Sequence, residues 1–588
     1  MISCRLGKSL VYVTTLALVA AMPGAPALAT ARPAGVMASP QTVTISGSAA
    51  YVTPLSDTSL FVLDSEMFSH LAVYDGRGHL QPDLLAALPT EANRGVLDNG
   101  RTIILRLKRH QYWSSGVEIT STDLVFGWKV LLDGGESPPC TDGRCKLIDS
   151  VMATGRYTVR LRLKHPYAQL LPDYLPPLVP HSSHRLGGNP HTAALKLYGA
   201  SAWDYLYTSA WTNGPYRIKQ LDPSSGRAVL TRMKYYRVHP GPFFRQLVIS
   251  PQKTADLVAA VMGGQVDVAA FDRPSSLVPI LSHPGAYTVL LSPTFDAPTL
   301  EFNVLDPVVN GHTNPVHDVR VRQALSLALD RVALTEGALN VGRDVARRLV
   351  AYTPYLVSPY TTETGVSRAV TGAWDPLVRR YVPYGSQAIR DARRLLAAAG
   401  YGGGLQIDVL ATAAGSKPAP WFDVIKRDWA AIGVQVGTSI YPGAPLGECT
   451  GSIIAAGQFE VFLTSEYGGP NPDELSYSLD SRFVARFSQD RDPRLCNGDF
   501  NYSGVQDPTV DQGLRRGAAT YDPSQRGHWY GQVQERVAKQ AYWAPLFYQP
   551  NVVIANRHLR GVTGYPLAGT MALDAGYPWN AYSWRYMS

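Results

Sequence analysis

The run from Thr299 to Arg331 constrains the fold more than any other part of the chain. It reads TLEFNV, then a turn containing Pro and Gly, then NPVHDVRVRQALSLALDR. The first piece has the composition of a short strand. In the last, Val321, Ala324, Leu325, Ala328, Leu329 and Val332 recur at helical spacing as one narrow apolar stripe, with Arg320, Arg322 and Arg331 around it. A helix with a single stripe needs a neighbouring layer to cover it, and the spacing predicts one helix from Asp318 to Leu334. The rhythm repeats downstream: SQAIRDARRLLAAAGY reads as a helix with Ser386 as cap and Gly400 as stop, and LQIDVLAT and VQVGTSI flank a helix in WFDVIKRDWAAIG. Alternating strands and helices predict an α/β lobe on a mixed sheet.

The first half has a different pattern. RTIILRLK (Arg101 to Lys108) and RYTVRLRLK (Arg156 to Lys164) alternate apolar with Arg and Thr, as half-buried antiparallel strands with one wet face do. Between them Thr120 is a candidate cap with Asp123 at N3, and Ile119 and Leu124 form a candidate hydrophobic staple. That helix is expected to bury Leu124, Trp128, Leu131 and Leu132. Strand, helix and strand make a small α+β unit. Further on, KTADLVAAVMGGQVDVAAF predicts a helix stopped at Gly263 and Gly264, then a short buried strand. A helix around HWYGQVQERVAKQAY leads into the apolar APLFYQPNVVIANRHL.

Charge does not suggest nucleic acid as a partner: the 54 basic residues are dispersed among 46 acids, and the formal net charge of +8 reads as a solvated surface. At the N-terminus, Arg5 and Lys8 precede an apolar stretch from Leu10 to Met22, and Ala27 and Ala29 form an A-x-A arrangement. This pattern predicts a signal segment over 1–29 and an exported chain, periplasmic or at the cell surface, with an uncleaved anchor as the alternative. Four cysteines remain beyond it, Cys140, Cys145, Cys449 and Cys496, an even number that favours disulfides in an exported chain. The simplest pairing closes CTDGRC and joins Cys449 to Cys496; a zinc site is the competitor, its usual spacing just missed. Motifs for phosphate loops, serine hydrolases and zinc proteases are absent, so no catalytic residue and no cofactor is expected.

Several stretches, in order, resemble the extracytoplasmic solute-binding proteins of peptide-type ABC transporters, the oligopeptide, dipeptide and nickel-binding family, solute-binding protein family 5. LAVYDGRGHLQPDLLAALP, YWSSGVEITSTDLVFGW, TNGPYRI, GGQVDVA, NPVHDVRVRQALSLALDR, LLAAAGY and PLFYQ carry the likeness. Ser115 stands where that family usually has an acid, and YVTPLSDTSLF has no clear match to its early LDP. The resemblance implies an α/β, two-lobed periplasmic-binding-protein-like fold of type II, cluster C, with a third small α+β domain inserted in the first lobe. On this sequence that places a tether at 30–42, lobe I at 43–79, 191–296 and 546–588, the insertion at 80–190, and lobe II at 297–545.

It also implies a receptor, not an enzyme, that captures oligopeptides or dipeptides between its lobes and hands them to a membrane permease and its ATPase subunits, acting as a monomer. A bound peptide's α-amine needs a carboxylate, because an unpaired buried charge costs several kcal/mol. The family's acidic motif is most nearly matched by SEYGGPNPDE, which makes Glu466 the candidate amine clamp, with Leu463 where an aromatic is common. Tyr467 and Asn303 are the other candidate ligand-binding residues; Glu466 as a solvated loop acid and Tyr467 as a packing aromatic remain the plain alternatives. His165, His181, His184 and His191 raise a metal or nickel-chelate reading, set against their Gly- and Pro-containing surroundings. A secreted hydrolase on the same scaffold is the third reading.

Overall fold

The computed structural model describes residues 42–47, 66–74, 80–133, 147–168, 170, 179–181, 188–198, 211–222, 225, 227–250, 252, 254–271, 280, 287–293, 297–351, 372–412, 421–441, 454, 456–466, 472–484, 500–562 and 580–586. The predicted signal segment, Tyr467, His184 and all four candidate disulfide cysteines, Cys140, Cys145, Cys449 and Cys496, lie outside the described residues. Two compact units emerge. Among the described residues, the first comprises those from Thr42 to Ser292, Ala519–Tyr521 and those from Pro550 onward; the second comprises those of Pro293–Ala518 and Asp522–Gln549. No helix among the described residues is long and apolar enough to cross a membrane.

In the first unit, β1 (Thr42–Gly47) is followed by a four-stranded antiparallel sheet of β2 (Val96–Leu97), β3 (Thr102–Arg106), β4 (Ile148–Gly155) and β5 (Thr158–Leu163), in the order β2-β3-β5-β4. Ile103, Leu105, Val159, Leu161 and Leu163 are buried, whereas Arg106, Arg160 and Arg162 are exposed, the wet and dry faces that the alternation predicts. Helix α1 (Ser121–Asp133) packs on this sheet. Its start is half a capping box: the Thr120 N–H donates to Asp123 Oδ2 at 2.8 Å, while the Thr120 hydroxyl turns to Thr122 Oγ1 at 3.0 Å. Ile119, Leu124 and Trp128 are buried and Leu131 is half-buried, but Leu132 is 55% exposed. Leu124, Trp128 and Leu131 share a face at i, i+4 and i+7; Leu132 lies one residue, about 100°, further round.

The main sheet of this unit adds β6 (Tyr216–Asp222), β7 (Arg227–Arg232), β8 (Gln246–Ile249), β9 (Val268–Phe271) and β10 (Tyr287–Pro293) to β1. β1 runs parallel to both β8 and β9. Alternate residues of β9 enter different cores: Val268 and Ala270 join Val43, Ile45, Leu230, Leu247 and Trp584, while Ala269 and Phe271 join Leu257 and Val261 of helix α2 (Thr254–Met262). A strand buried on both faces explains why VAAF, Val268 to Phe271, reads as a continuous apolar run.

The second unit is built on β11 (Ala297–Phe302), β12 (Leu405–Thr412), β13 (Val434–Tyr441), β14 (Val461–Glu466) and β15 (Trp543–Pro545), ordered β13-β12-β14-β11-β15. The chain then returns as β16 (Pro550–Asn556), which pairs with β9 and completes the order β10-β16-β9-β1-β8-β7-β6 in the first unit. β12 is parallel to β13 and β14, and β11 is antiparallel to β14 and β15, so the predicted mixed sheet is present.

The motif helix is two helices. α3 (Val319–Leu327) starts at Asp318, whose carboxylate accepts from Arg320 N at 2.8 Å, and α4 (Arg331–Leu339) starts at Asp330, which caps Ala333 N at 3.0 Å. Asp330 is held outside the helix by its own N–H, which donates to Asp428 Oδ2 at 2.7 Å. The arginines divide by role. Arg320 pairs with Asp318 at 2.5 Å on the surface, but Arg322 and Arg331 are 3% and 2% exposed and bind backbone carbonyls. Arg322 donates to Gln540 and Ala541 (3.1 and 3.2 Å) and to Val316 and His317 (2.7 and 2.9 Å). Gln540 closes α8 (Pro523–Gln540), the second of two consecutive helices with α7 (Pro508–Ala519), and Ala541 is its left-handed C-cap at φ 46. A guanidinium there satisfies carbonyls the helix cannot and complements its dipole. Between α4 and these lie α5 (Ser386–Ala398) and α6 (Phe422–Ala430). Gly385, not Ser386, occupies the N-cap of α5.

One buried acid gives this unit a pH signature. Asp375 is fully buried, and burial, helped by the neighbouring Asp391 carboxyl of α5, pushes its pKa above the usual range. The folded state therefore holds this proton more tightly than the unfolded chain, so the stabilisation is present in acid and is lost as pH rises through the raised pKa. Asp375→Asn is expected to raise the melting temperature at pH 8 and to flatten its decline as pH rises above the ordinary carboxylate range; an equally steep decline would remove Asp375 as the cause.

Candidate functional site

In the second unit the register of β11 and β14 places the candidate residues. Ala297 pairs with Glu466 and Phe302 with Val461, so Glu466 ends β14 opposite the beginning of β11. Asn303 follows the other end of β11. At about 3.4 Å per residue the two are roughly 20 Å apart, so this strand pair does not bring them together. Asn303 is fully buried, and its amide is engaged by the main chain: Nδ2 donates to Gly457 O and Phe459 O, each at 3.0 Å, and Oδ1 accepts from Asp306 N at 3.2 Å. Asn314 Nδ2 donates to its carbonyl at 2.9 Å. These bonds fasten the turn after β11 to the loop before β14. Glu301, also fully buried, accepts from Ser503 Oγ at 2.9 Å, and Ser503 in turn accepts from Trp543 Nε1 at 3.0 Å.

In the first unit, residues of the WSSG and TNGPY motifs come together with the segment around Met67. Within TNGPY, the N–H groups of Asn213 and Gly214 both donate to Met67 O (3.1 and 2.7 Å), and the Asn213 side chain exchanges two 3.1 Å bonds with the Ser69 backbone. A Cβ at Gly214 would lie 2.5 Å from the Met67 carbonyl carbon and 2.6 Å from Phe68 N. The glycine is therefore required by close backbone approach, and Gly214→Ala is expected to cost about 2–3 kcal/mol in chemical denaturation, the range for overpacking; an unchanged midpoint would show that the two segments part freely.

This approach sets Trp211 against Phe68 and Trp113, with ring centroids 5.3 and 6.0 Å apart, while Ser114 N donates to Thr212 O at 2.7 Å and Thr212 N to Ser114 Oγ at 3.1 Å. Around it, Trp113 Nε1, Trp211 Nε1, Thr212 Oγ1 and both carboxyl oxygens of Glu66 are buried with no hydrogen bond of ordinary geometry among the described residues. Burial pushes the Glu66 carboxyl well above the usual range, with the Ala581 backbone pulling the other way. Buried polar atoms in native proteins have partners, so this wall is furnished for ordered water or for the polar atoms of a ligand. A tryptophan inside or just before two motifs, WSSG and TNGPY, is the signal that would have marked it.

The histidines are engaged elsewhere. His181 Nδ1 lies 3.0 Å from Asp123 Oδ1 and His191 Nδ1 lies 2.7 Å from Asp133 Oδ1, while His165 is exposed beside the Pro166 carbonyl. Among the described residues no group of three or more His, Cys, Asp and Glu is arranged to hold a metal ion.

Comparison with known proteins sets these features in a lineage. The periplasmic oligopeptide-binding protein OppA of Salmonella typhimurium is 22% identical over 512 residues, 85% of this chain and 84% of that protein. The oligopeptide-binding protein AppA of Bacillus subtilis, solved with a nonapeptide, superposes with a TM-score of 0.60 at 17% identity, covering 93% of this chain and 99% of that one. NikZ of Campylobacter jejuni, solved with Ni(L-His), gives 0.62 at 18% identity, with coverage of 93% and 99%. These likenesses show the two-lobed periplasmic-binding-protein fold. The model of the bacterial extracellular solute-binding proteins, family 5 (middle region), matches residues 80–484, and the chain belongs to that family.

Proposed function

We propose that this protein is the ligand-capturing subunit of an ABC importer, binding short peptides outside the cytoplasmic membrane and passing them, chemically unaltered, to a membrane permease driven by ATPase subunits. The observation that carries this reading is the family match across residues 80–484, joined to peptide binders on both sides of the comparison: OppA among relatives and nonapeptide-bound AppA among solved structures. The chain would act as an exported monomer, with no cofactor and no catalytic group. Ligand binding to one conformational state would favour that state by its differential affinity, which suits a receptor that must signal occupancy to a permease. Peptides bound largely through their backbones would be accepted with little regard to side chain.

A thermal-shift screen with di- to nonapeptides tests the reading. Saturable stabilisation by several unrelated peptides is expected; a chain that none of them stabilises is not a peptide receptor. The NikZ likeness favours one second reading, a nickel-chelate receptor, and nickel with L-histidine in the same screen decides it. Stabilisation by that complex alone, abolished by a chelator, would replace peptide with metal.

A further inference from the structure

In the first unit the segment from Arg109 to Ile119 doubles back on itself. Trp113 N donates to Val117 O at 2.9 Å, Ile119 N donates to Gln111 O at 2.8 Å, and Tyr112 bridges to Glu118. It borders a cleft of about 500 Å³, completed by Gly116, Tyr235 and Arg237. That volume lies within the range of small-molecule sites.

Four features distinguish this cleft from a surface dent. His110 holds a left-handed backbone at φ 58, a conformation of the kind that clusters at binding sites. Gly116, at φ 85, lets the Tyr235 ring approach so closely that a Cβ would stand 3.3 Å from its Cζ. The rings of Tyr112 and Tyr235 line the space as a pair in contact with each other, centroids 6.5 Å apart and tilted by 49°. Gln111 is only 6% exposed; its Nε2 donates to Arg109 O at 3.0 Å, which fixes the amide, and its Oε1 is buried with no partner among the described residues. An acceptor so placed calls for an N–H from a guest.

The charges select the rest of the guest. Arg237 is oriented by bonds from Nη1 to Lys234 O (3.1 Å) and Tyr236 O (2.7 Å), leaving its other nitrogens for a ligand. Arg109 stands over the Tyr157 ring with Cζ 6.0 Å from its centroid. The nearby acid, Glu118, is taken up by Arg156 (2.6 Å), the Tyr157 hydroxyl (2.7 Å) and His110 (3.3 Å). Lys234, over the Tyr235 ring at 5.2 Å, adds a further positive charge.

We propose that this cleft is a small-molecule site for a carboxylate flanked by an amide N–H and a planar ring: the carboxylate on Arg109 and Arg237, the N–H on Gln111 Oε1, the ring packed against the Tyr112 and Tyr235 pair from the cleft side. N-aroylglycines, N-acylated aromatic amino acids and the last residue of a peptide ending in an aromatic residue share this chemistry. The site stands independently of the peptide-import reading.

N-benzoylglycine is the probe, titrated into the full chain by calorimetry beside benzamide, which lacks the carboxylate. Saturable binding of N-benzoylglycine and none of benzamide is expected. Arg109→Gln and Gln111→Leu should each weaken binding at least about tenfold, with melting temperatures of both variants confirming that they fold, and neither should change the affinity for screened peptides that lack an aromatic C-terminal residue. No saturation at millimolar probe, or equal affinity in wild type and both variants, overturns the site. Parallel loss of probe and of peptides without an aromatic C-terminal residue would overturn a separate site, since both would then bind in one place. To separate the two sources, peptides ending in Phe are compared with their C-terminal amides: loss of binding on amidation identifies the peptide terminus as a ligand, and equal binding restricts the site to free acylated amino acids.

Discussion

Replacing Arg331 by alanine is expected to destabilise the second unit by about 3–5 kcal/mol, the range for breaking a buried charged network. Its guanidinium is almost entirely enclosed and bonded to Pro545 O (2.7 Å), Ser326 O (3.0 Å) and Ser326 Oγ (3.2 Å). Alanine leaves those carbonyls buried and unpaired, at about 1–3 kcal/mol apiece, and opens a cavity besides. Because Pro545 ends β15 while Ser326 lies in α3, the arginine ties a sheet edge to the motif helix. Arg331→Met separates the two costs: it refills most of the volume without restoring a donor, so it should recover only part of the loss. The measurement is denaturant unfolding followed by a probe of the second unit, since a chain of two units can unfold in more than one step. A destabilisation of less than about 0.5 kcal/mol for alanine, within the ordinary range of surface substitutions, would show that water readily takes the arginine's place.

Glu466→Gln is expected to weaken peptides with a free α-amine by about 2–5 kcal/mol, the cost of removing one partner of a buried, hydrogen-bonded charge pair, acting mainly on the dissociation rate. This expectation comes from the match of SEYGGPNPDE to the family's acidic motif; the backbone sets Glu466 as the last residue of β14, where the chain leaves the sheet. The control is the same peptide N-acetylated. If Glu466 clamps the amine, the acetylated form binds weakly to wild type and the substitution changes it little. Equal weakening of both forms would mean that the carboxylate supports the fold of this loop and does not contact ligand.

What the chain declares locally, it declares well. Helices α5 and α6 and strands β12 and β13 follow from residues within a dozen positions of one another, through a 3.6-residue stripe, a two-residue alternation and glycine stops such as Gly400, at φ 95. The faces of β3 and β5 follow from arginines placed between leucines. Elements that depend on distant partners are less legible. Asp330 looks like the middle of a helix until Asp428, 98 positions away, binds its N–H. Arg322 and Arg331 look like surface charges, because nothing near them reveals the carbonyls of Gln540 and Pro545, more than 200 residues later. The candidate site shows the same division. Asn303 is legible from its place beside β11, whereas the partners of its amide, in a loop 154 residues on, are not. The Trp113 and Trp211 wall depends on a backbone contact between Met67 and Gly214, which no spacing rule anticipates.

Native mass spectrometry of the purified chain, incubated with a defined mixture of short peptides and washed, addresses the central claim most directly. The account predicts one peptide per chain, released by denaturation at its original mass, with several sequences represented. Released fragments, or a chain that retains nothing from the mixture, would contradict it.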